Sequence, residues 1–337
     1  MVNAADPDRP IRWGFLGAGR IAGKFAGDLR TARGSELVAV AARDAERARA
    51  FAETHGARRS YGSYAELLAD DEVDVVYIAT THGQHYEQAL QTFEAGKPAL
   101  IEKSFTLNAR QTAEVIDAAR SRGLFCMEGM WMRTNGLIRT ALQLANEGRI
   151  GELRSVTVDN GLLFPYDPAH RLYDLHLGGG ALLDLGVYAV TFAWIFLGEP
   201  DRVRATGALA PTGADQTMAM QWEYDDDRFA HVSCTTMAAT PQRGIVVGTK
   251  GSLTLDRPFY RPERLIVEQA EGRTVTSEEV LQPIVGNGFG PEIAEVERCL
   301  REGLTESPLI PLDDTLAIMR LMDSARAEVG VRYAADT

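Results

Sequence analysis

The chain has 337 residues, 45% of them apolar and 24% charged, with a formal net charge of -12. This is the profile of a soluble globular protein long enough for two domains, and its acidic surface repels polyanions, so no nucleic-acid partner is expected. The apolar run Ala181 to Leu197 is interrupted by Asp184 and Gly186 and is short for a bilayer, and the first ten residues lack an apolar signal core, so no membrane partner is expected and the cytoplasm is the expected location.

From Ile11 to about Met127 short apolar runs alternate with helical patterns, the rhythm of repeated βαβ units. Strands are expected at Ile11–Leu16, Leu37–Ala42, Val73–Ala79, Ala99–Glu102 and Leu124–Met127, each nearly continuous in apolar residues, as a parallel sheet covered on both faces requires. Ser63 with Glu66, and Asn108 with Gln111, have the spacing of helix N-terminal capping boxes. Beyond Trp131 the pattern changes. A helix is expected over Asn135–Glu147, a strand over Leu153–Leu163, and a long helix from the Gly178-Gly179-Gly180 run to Phe196. β-rich segments follow at Val203–Leu209, Thr217–Glu223, Phe229–Thr236, Gly244–Thr249 and Ser252–Leu255, then helices at Gly290–Arg301 and Thr315–Ala327. The expected architecture is α/β: a short tail over 1–10, a domain of repeated βαβ units over 11–130, and an α+β domain over 131–337 with a mixed or antiparallel sheet. No internal repeat is evident. Cys126, Cys234 and Cys299 lie far apart with no ligand spacing, which argues against a disulfide framework and a zinc site alike, so no metal is expected.

The first strand runs directly into Gly17-Ala18-Gly19-Arg20-Ile21-Ala22, a GxGxxA at the start of a helix. Gly17 suits the tight turn, Gly19 admits close approach of a pyrophosphate, Ala22 allows the helix to pack on the strand, and the helix N-terminus offers N–H donors to the anion. With strand before and helix after, the motif has the context that dinucleotide binding requires. The second strand ends in Arg43 where NAD-binding chains place an acidic residue. A guanidinium there suits a 2′-phosphate, which favours NADP over NAD; Asp44 also fits the cap of the next helix.

Two clusters follow later strands: Thr80-Thr81-His82-Gly83-Gln84-His85, and Glu102-Lys103-Ser104. A lysine after an apolar strand is costly to bury without purpose, which singles out Lys103. His82 is placed to wall the nicotinamide pocket; His85 fits either that role or a surface position on the helix. In Gly178-Gly-Gly-Ala-Leu-Leu-Asp184-Leu-Gly-Val-Tyr188, α-helical spacing puts Asp184 and Tyr188 one turn apart on one face. Trp131, with Phe164, Tyr166, His170 and Tyr173 in the loop before the glycines, fits an apolar and hydrogen-bonding substrate wall.

Taken together, the GxGxxA, Glu-Lys-Ser and GGGALLDLGVY segments resemble the glucose-fructose oxidoreductase, inositol dehydrogenase and rhizopine-catabolism (Gfo/Idh/MocA) family from about residue 11 to 335. VAVAARD at 38–44, YGSYAEL at 61–67, ARSRGLFCMEGMW at 119–131 and CLREGLTESPLIPL at 299–312 most resemble its dihydrodiol dehydrogenase and NADP-dependent D-xylose dehydrogenase branch. The resemblance implies NADP, a Rossmann dinucleotide-binding domain over 11–130 followed over 131–337 by an α/β domain with a large open, mainly antiparallel sheet, oxidation of a hydroxyl on a sugar, polyol or trans-dihydrodiol, and a homodimer or homotetramer assembled through the open sheet. It maps the family's lysine, aspartate and tyrosine onto Lys103, Asp184 and Tyr188, its histidine onto His82 and its substrate-side tryptophan onto Trp131. In that mechanism Tyr188 exchanges the hydroxyl proton while the Lys103 ammonium favours the phenolate, and Asp184 orients the substrate or the lysine. A ketosugar reductase of secondary metabolism and a non-catalytic NADP-binding sensor are the alternatives. Relatives mostly carry Glu-Lys-Pro, whereas this chain has Ser104. Cis bonds are rare before residues other than proline, so a trans Lys103–Ser104 bond is expected, or a cis one held by its surroundings.

Overall fold

The computed structural model describes residues 9–337. The expected tail over 1–10, and the reading of its composition, therefore fall almost wholly outside the described residues. The chain divides into two compact units: residues up to Trp131 with Val285–Leu316, and Met132–Ile284 with Ala317–Thr337.

The first unit is a six-stranded parallel sheet in the order β3-β2-β1-β4-β5-β6. Its strands are β1 (Ile11–Leu16), β2 (Ser35–Ala41), β3 (Arg59–Tyr61), β4 (Val75–Ile78), β5 (Ala99–Glu102) and β6 (Cys126–Gly129), alternating with α1 (Arg20–Leu29), α2 (Ala45–His55), α3 (Tyr64–Leu68), α4 (His82–Glu94) and α5 (Ala109–Ser121). β4 and β5 are buried along their whole length, as the continuous apolar runs require. β3 was not expected. It has three residues, none fully buried, at the sheet edge, too short and too polar to leave a periodic signal. The Ser63–Glu66 box forms in both directions. Asn108 caps Gln111, whose own side chain reaches the N–H of Leu107 instead of that of Asn108.

The second unit carries an eight-stranded sheet in the order β14-β13-β12-β11-β7-β10-β9-β8. Its elements are α6 (Gly136–Asn146), β7 (Leu153–Gly161), α7 (Val187–Leu197), β8 (Arg202–Leu209), β9 (Asp215–Glu223), β10 (Phe229–Thr235), β11 (Gly244–Gly248), β12 (Gly251–Leu255), β13 (Arg264–Glu271) and β14 (Thr274–Leu281). Only β7 and β10 pair in parallel. The β13–β14 hairpin escaped the sequence reading because β14, TVTSEEVL, is exposed on both faces and shows no apolar alternation. The apolar stretch Leu175–Leu197 has the length and composition of a membrane span, but 89% of its most apolar window is buried inside the protein, so it is core. Gly244 makes that packing possible, since a Cβ there would meet the Phe192 ring at 2.5 Å.

The division is not the single cut at 130/131 that was expected. α8 (Gly290–Arg301) returns to the first unit, and α9 (Leu312–Val329) follows it. The return has a local cause: Asp28, in α1, accepts the N–H groups of Asn287 and Phe289 at 2.8 Å each. Phe289 then packs on Phe25 and Trp131, with ring centroids 5.5 and 4.8 Å apart.

Candidate active site

In the first unit, β1, β4 and β5 end on the same side of a parallel sheet, so the segments after them lie at its carboxyl edge, where open α/β sheets bind ligands. Gly17 has φ +108°, and a Cβ there would stand 2.8 Å from the carbonyl oxygen of Ala79. Only glycine allows this turn. Gly19 differs: its backbone is extended, a Cβ would meet nothing within 4 Å, and as the N-cap of α1 it offers no side chain to the helix's first N–H groups. Among the described residues no N-cap side chain bonds this helix start, so the turn offers N–H donors and the positive end of the helix dipole, which fits the pyrophosphate of a dinucleotide. Arg20 is exposed and Ile21 half-buried at the same helix start.

Arg43 is exposed at the end of β2, and Asp44 caps α2 by accepting the N–H groups of Glu46 and Arg47. The cap expected of Asp44 is therefore formed, and Arg43 beside it is open to solvent. Arg43 and Arg47 also lower the charge cost at the hydroxyl of Tyr64, whose pKa burial nevertheless raises, so two guanidinium groups serve this corner.

After β4, the Thr80 hydroxyl donates to Gln88 Oε1 at 2.7 Å, and His82 is buried as the first residue of α4. His85 is no surface residue. It is fully buried, its Nδ1 lies 3.0 Å from the carbonyl oxygen of Ser104, and burial pushes its pKa down to about 4. A neutral ring donating through Nδ1 to that carbonyl is the form this geometry selects. The Lys103–Ser104 peptide bond is cis, so the second of the two expected forms is the one present, with Ser104 fully buried against the His85 donor. Lys103 itself is half-buried. Glu102, expected among the cofactor contacts, is buried, and its Oε1 accepts the Tyr77 hydroxyl at 2.5 Å. Behind it lies Glu292, whose carboxyl is fully buried and pushed well above the usual range by burial and by the charges of Glu102 and Glu128.

In the second unit the long helix expected from the glycine run is broken into pieces. A 3₁₀ turn over Leu175–Leu177 leads through the glycines to a π-helical turn, Leu182–Gly186, and only then to α7. Asp184 sits inside the π-turn and Tyr188 just beyond it, so their spacing is not that of a regular α-helix. Both are buried, 7% exposed each. Gly186 is required in the turn because a Cβ there would stand 2.8 Å from Cys234 Sγ on β10. The cysteines Cys126, Cys234 and Cys299 are all buried and unpaired.

Partners of Asp184 and Tyr188 come from segments that spacing could not link to them. Arg171 donates through an Nη to Asp184 Oδ1 at 2.9 Å. Tyr260 stacks on Tyr188, with centroids 4.6 Å apart and planes 21° apart. Asp215, fully buried on β9, accepts the Leu182 N–H at 2.6 Å and so holds the start of the π-turn. Tyr333 donates to the carbonyl of Gly179 at 2.7 Å. No motif pointed to any of the four. The aromatic loop does gather: Phe164 stacks near His170 at 5.9 Å, Tyr166 meets Tyr173 edge-on at 5.1 Å, and Tyr173 donates to the Phe164 carbonyl. Tyr166 and His170 are exposed, whereas Tyr173 is core, and Trp131 is buried in the first unit against Phe289.

A parallel sheet in this order with an open glycine turn defines a Rossmann-type dinucleotide-binding fold. Residues 11–130 match the model of the Gfo/Idh/MocA oxidoreductase family with NAD-binding Rossmann fold, and residues 138–254 match the C-terminal domain of the same family. The chain belongs to the Gfo/Idh/MocA family. It is 37% identical over 328 residues to a trans-1,2-dihydrobenzene-1,2-diol dehydrogenase of Xenopus laevis, covering 96% of this chain and 99% of that one. It is 34% identical over 337 residues to the dehydrogenase of the same name from Homo sapiens, covering 97% and 99%. Among solved structures it is similar to a 3-ketoreductase from Actinomadura kijaniata in complex with NADP and TDP-benzene, at 26% identity and a TM-score of 0.84, covering 95% of this chain and 98% of that one.

Proposed function

We propose that this protein is an NADP-dependent dehydrogenase acting on a secondary hydroxyl of a trans-dihydrodiol, sugar or polyol, or on the corresponding carbonyl in reverse. The observation that carries the reading is the pair Asp184 and Tyr188, a carboxylate and a phenol both buried at a π-turn, in a chain that also keeps an open dinucleotide turn and Lys103. A nucleotide sensor needs the turn and has no use for a proton-transfer pair. The relatives named for dihydrodiol oxidation favour the first substrate class, and the ketoreductase neighbour favours testing the reductive direction with nucleotide ketosugars.

Gly17, Gly19 and the N-terminus of α1 would hold the pyrophosphate, Arg43 the 2′-phosphate, and Thr80 and His82 the nicotinamide end. The bound cofactor supplies hydride acceptance or donation, chemistry no side chain provides. Tyr188 moves the hydroxyl proton. An ordinary phenol, with a pKa of about 10, is a weak base at neutrality and needs a cation to favour its ionised form; Lys103 is proposed to supply that charge in the oxidative direction. In the reductive direction the same charge polarises the carbonyl and Tyr188 returns the proton. Arg171 donates to Asp184 and fixes its carboxyl as an acceptor for the substrate hydroxyl or the lysine. Trp131, Tyr166 and His170 are proposed to bind the ring of the substrate.

The protein is proposed to work in the cytoplasm as a homodimer or homotetramer. Phe229 and Val247, which flank Ser155 in adjacent strands, supply exposed apolar surface on the sheet for such an assembly, and light scattering after size exclusion measures its order. The decisive assay follows NADPH absorbance with dihydrodiols, aldoses, polyols and nucleotide ketosugars, each with NADP(H) and NAD(H). Turnover of a hydroxyl or carbonyl substrate is the expected result; cofactor binding without turnover of any of them would return the protein to the sensor class. Arg43→Asp should move the preference toward NAD, and an unchanged preference removes the 2′-phosphate role.

A further inference from the structure

A buried polar chain in the second unit ends on the π-turn. Asn160, on β7 and fully buried, donates through Nδ2 to the carbonyl of Leu185 at 2.9 Å. Its Oδ1 accepts from Gln242 Nε2 at 2.8 Å, and Gln242 Oε1 accepts from Arg257 Nε at 3.1 Å. The direction of the chain is fixed at both ends, because a carbonyl can only accept and a guanidinium can only donate. With both amides so oriented, no other assignment pairs every atom.

Gln242 has further unusual features. It is buried, and its φ is +56°, a conformation that costs a residue other than glycine free energy and that persists where the surroundings impose it. The backbone on either side is also engaged: its N–H donates to Asp159 Oδ2 at 2.8 Å, and its carbonyl accepts the N–H of Phe259 at 2.9 Å. Phe259 precedes Tyr260, the residue stacked on Tyr188. One side chain thus reaches the turn that holds Asp184 through Asn160, while the main chain of the same residue fixes the segment that carries Tyr260. Leu185 lies between Asp184 and Tyr188, so its carbonyl is a handle on both. π-Turns leave carbonyls out of the regular ladder, and a turn held by outside donors keeps one geometry where an unheld one samples several.

We infer that Gln242 is a positioning residue for the proposed reaction, acting through Asn160 on the Asp184–Tyr188 turn and through its backbone on Tyr260. The inference rests on the proposed dehydrogenase activity for its kinetic readout and on the geometry above for its structural one.

Gln242→Gly is the informative variant. Glycine adopts the positive φ without penalty, so the fold is kept, while the chain to Asn160 is cut. The expected result is a melting temperature within about 5 °C of the parent, unchanged NADP(H) affinity, kcat lower by roughly 10- to 100-fold with a smaller change in KM, and faster hydrogen exchange in the peptide spanning 180–190. Gln242→Glu, which sets a carboxylate oxygen against Asn160 Oδ1, should lower kcat similarly. Asn160→Asp should match it, and the double variant of Asn160→Asp with Gln242→Gly should be no worse than the poorer single one, as members of one chain require. Parent-like kcat and parent-like exchange in Gln242→Gly overturn the assignment, as does a loss in the double variant equal to the product of the single losses. The exchange measurement needs no substrate. If the parent turns over nothing, the dehydrogenase reading fails while exchange at 180–190 still decides whether Gln242 holds the turn.

Discussion

The cradle in the first unit and the turn in the second are assembled by opposite means. Gly17, Thr80, His82 and Lys103 each follow a strand of one parallel sheet, so the topology gathers them and their neighbours in sequence complete the site. The turn at Asp184 is instead held by Asn160 from β7, Arg171 from a loop, Asp215 from β9, Gln242 and Tyr260 from two further loops and Tyr333 near the chain's end. A site made of backbone donors at a strand end needs only the right short segment. A site made of a buried carboxylate and phenol needs partners, because each buried polar group left unpaired costs free energy. The difference teaches where substitutions should act: in the cradle on cofactor binding, at the turn on turnover.

The largest test of that division is Tyr188→Phe, which removes the proposed proton carrier with little change of shape. Turnover should fall by roughly 10²- to 10⁴-fold while NADP(H) affinity, measured by fluorescence, stays close to the parent. Lys103→Met should behave the same way although Lys103 belongs to the first unit. A large loss of cofactor affinity with turnover preserved at saturation would move Lys103 into the cradle and break the comparison there. The glycine pair sharpens it within the cradle. Gly17→Ala forces φ +108° on a residue with a Cβ and drives that atom against the Ala79 carbonyl, so it should destabilise the first unit by about 1–3 kcal/mol in denaturant unfolding. Gly19→Ala meets no atom of the protein and should melt like the parent, yet weaken the dinucleotide by about tenfold, one lost close approach. Equal behaviour of the two variants would mean that the open space above Gly19 is not the pyrophosphate site.

The same contrast governs what the sequence discloses. Strand-turn-helix at 11–22 and the lysine after β5 are legible because the roles proposed for them depend on residues adjacent in the chain. The GGGALLDLGVY segment is legible as a helix, but not as a π-turn: Asn160 and Asp215, which bond the turn, and Cys234, which leaves no room for a Cβ at Gly186, are all distant in sequence. His85 is ambiguous for a related reason. Its position at the start of α4 suits solvent, and only the return of the chain at Ser104 supplies the carbonyl that buries it. The bond from Tyr77 to Glu102 is not legible either, because it joins two strands that lie 25 residues apart in the chain. β14 is invisible to apolar patterning because pairing alone, without burial, makes it a strand.

A smaller effect separates the two regions by the sign of their response to pH. His85 is pushed down to about 4 by burial, against about 6.5 in an unfolded chain, so between these values the unfolded state binds more protons and stability falls as pH drops from about 6.5 toward 4. Asp215 is pushed up to about 6 by burial, against about 3.9 unfolded, so the native state binds more protons and stability falls as pH rises from about 4 through 6. Each contributes at most on the order of 3 kcal/mol. In urea unfolding followed from pH 4 to 8, the His85→Asn variant should therefore gain on the parent toward low pH. The Asp215→Asn variant, whose amide oxygen still accepts the Leu182 N–H, should gain on the parent as pH rises through 6. The two difference curves slope in opposite directions because one buried group is a base and the other an acid. Parallel curves would mean that at least one of them is solvated in solution, and that the partner network drawn around it is looser than its hydrogen bonds imply.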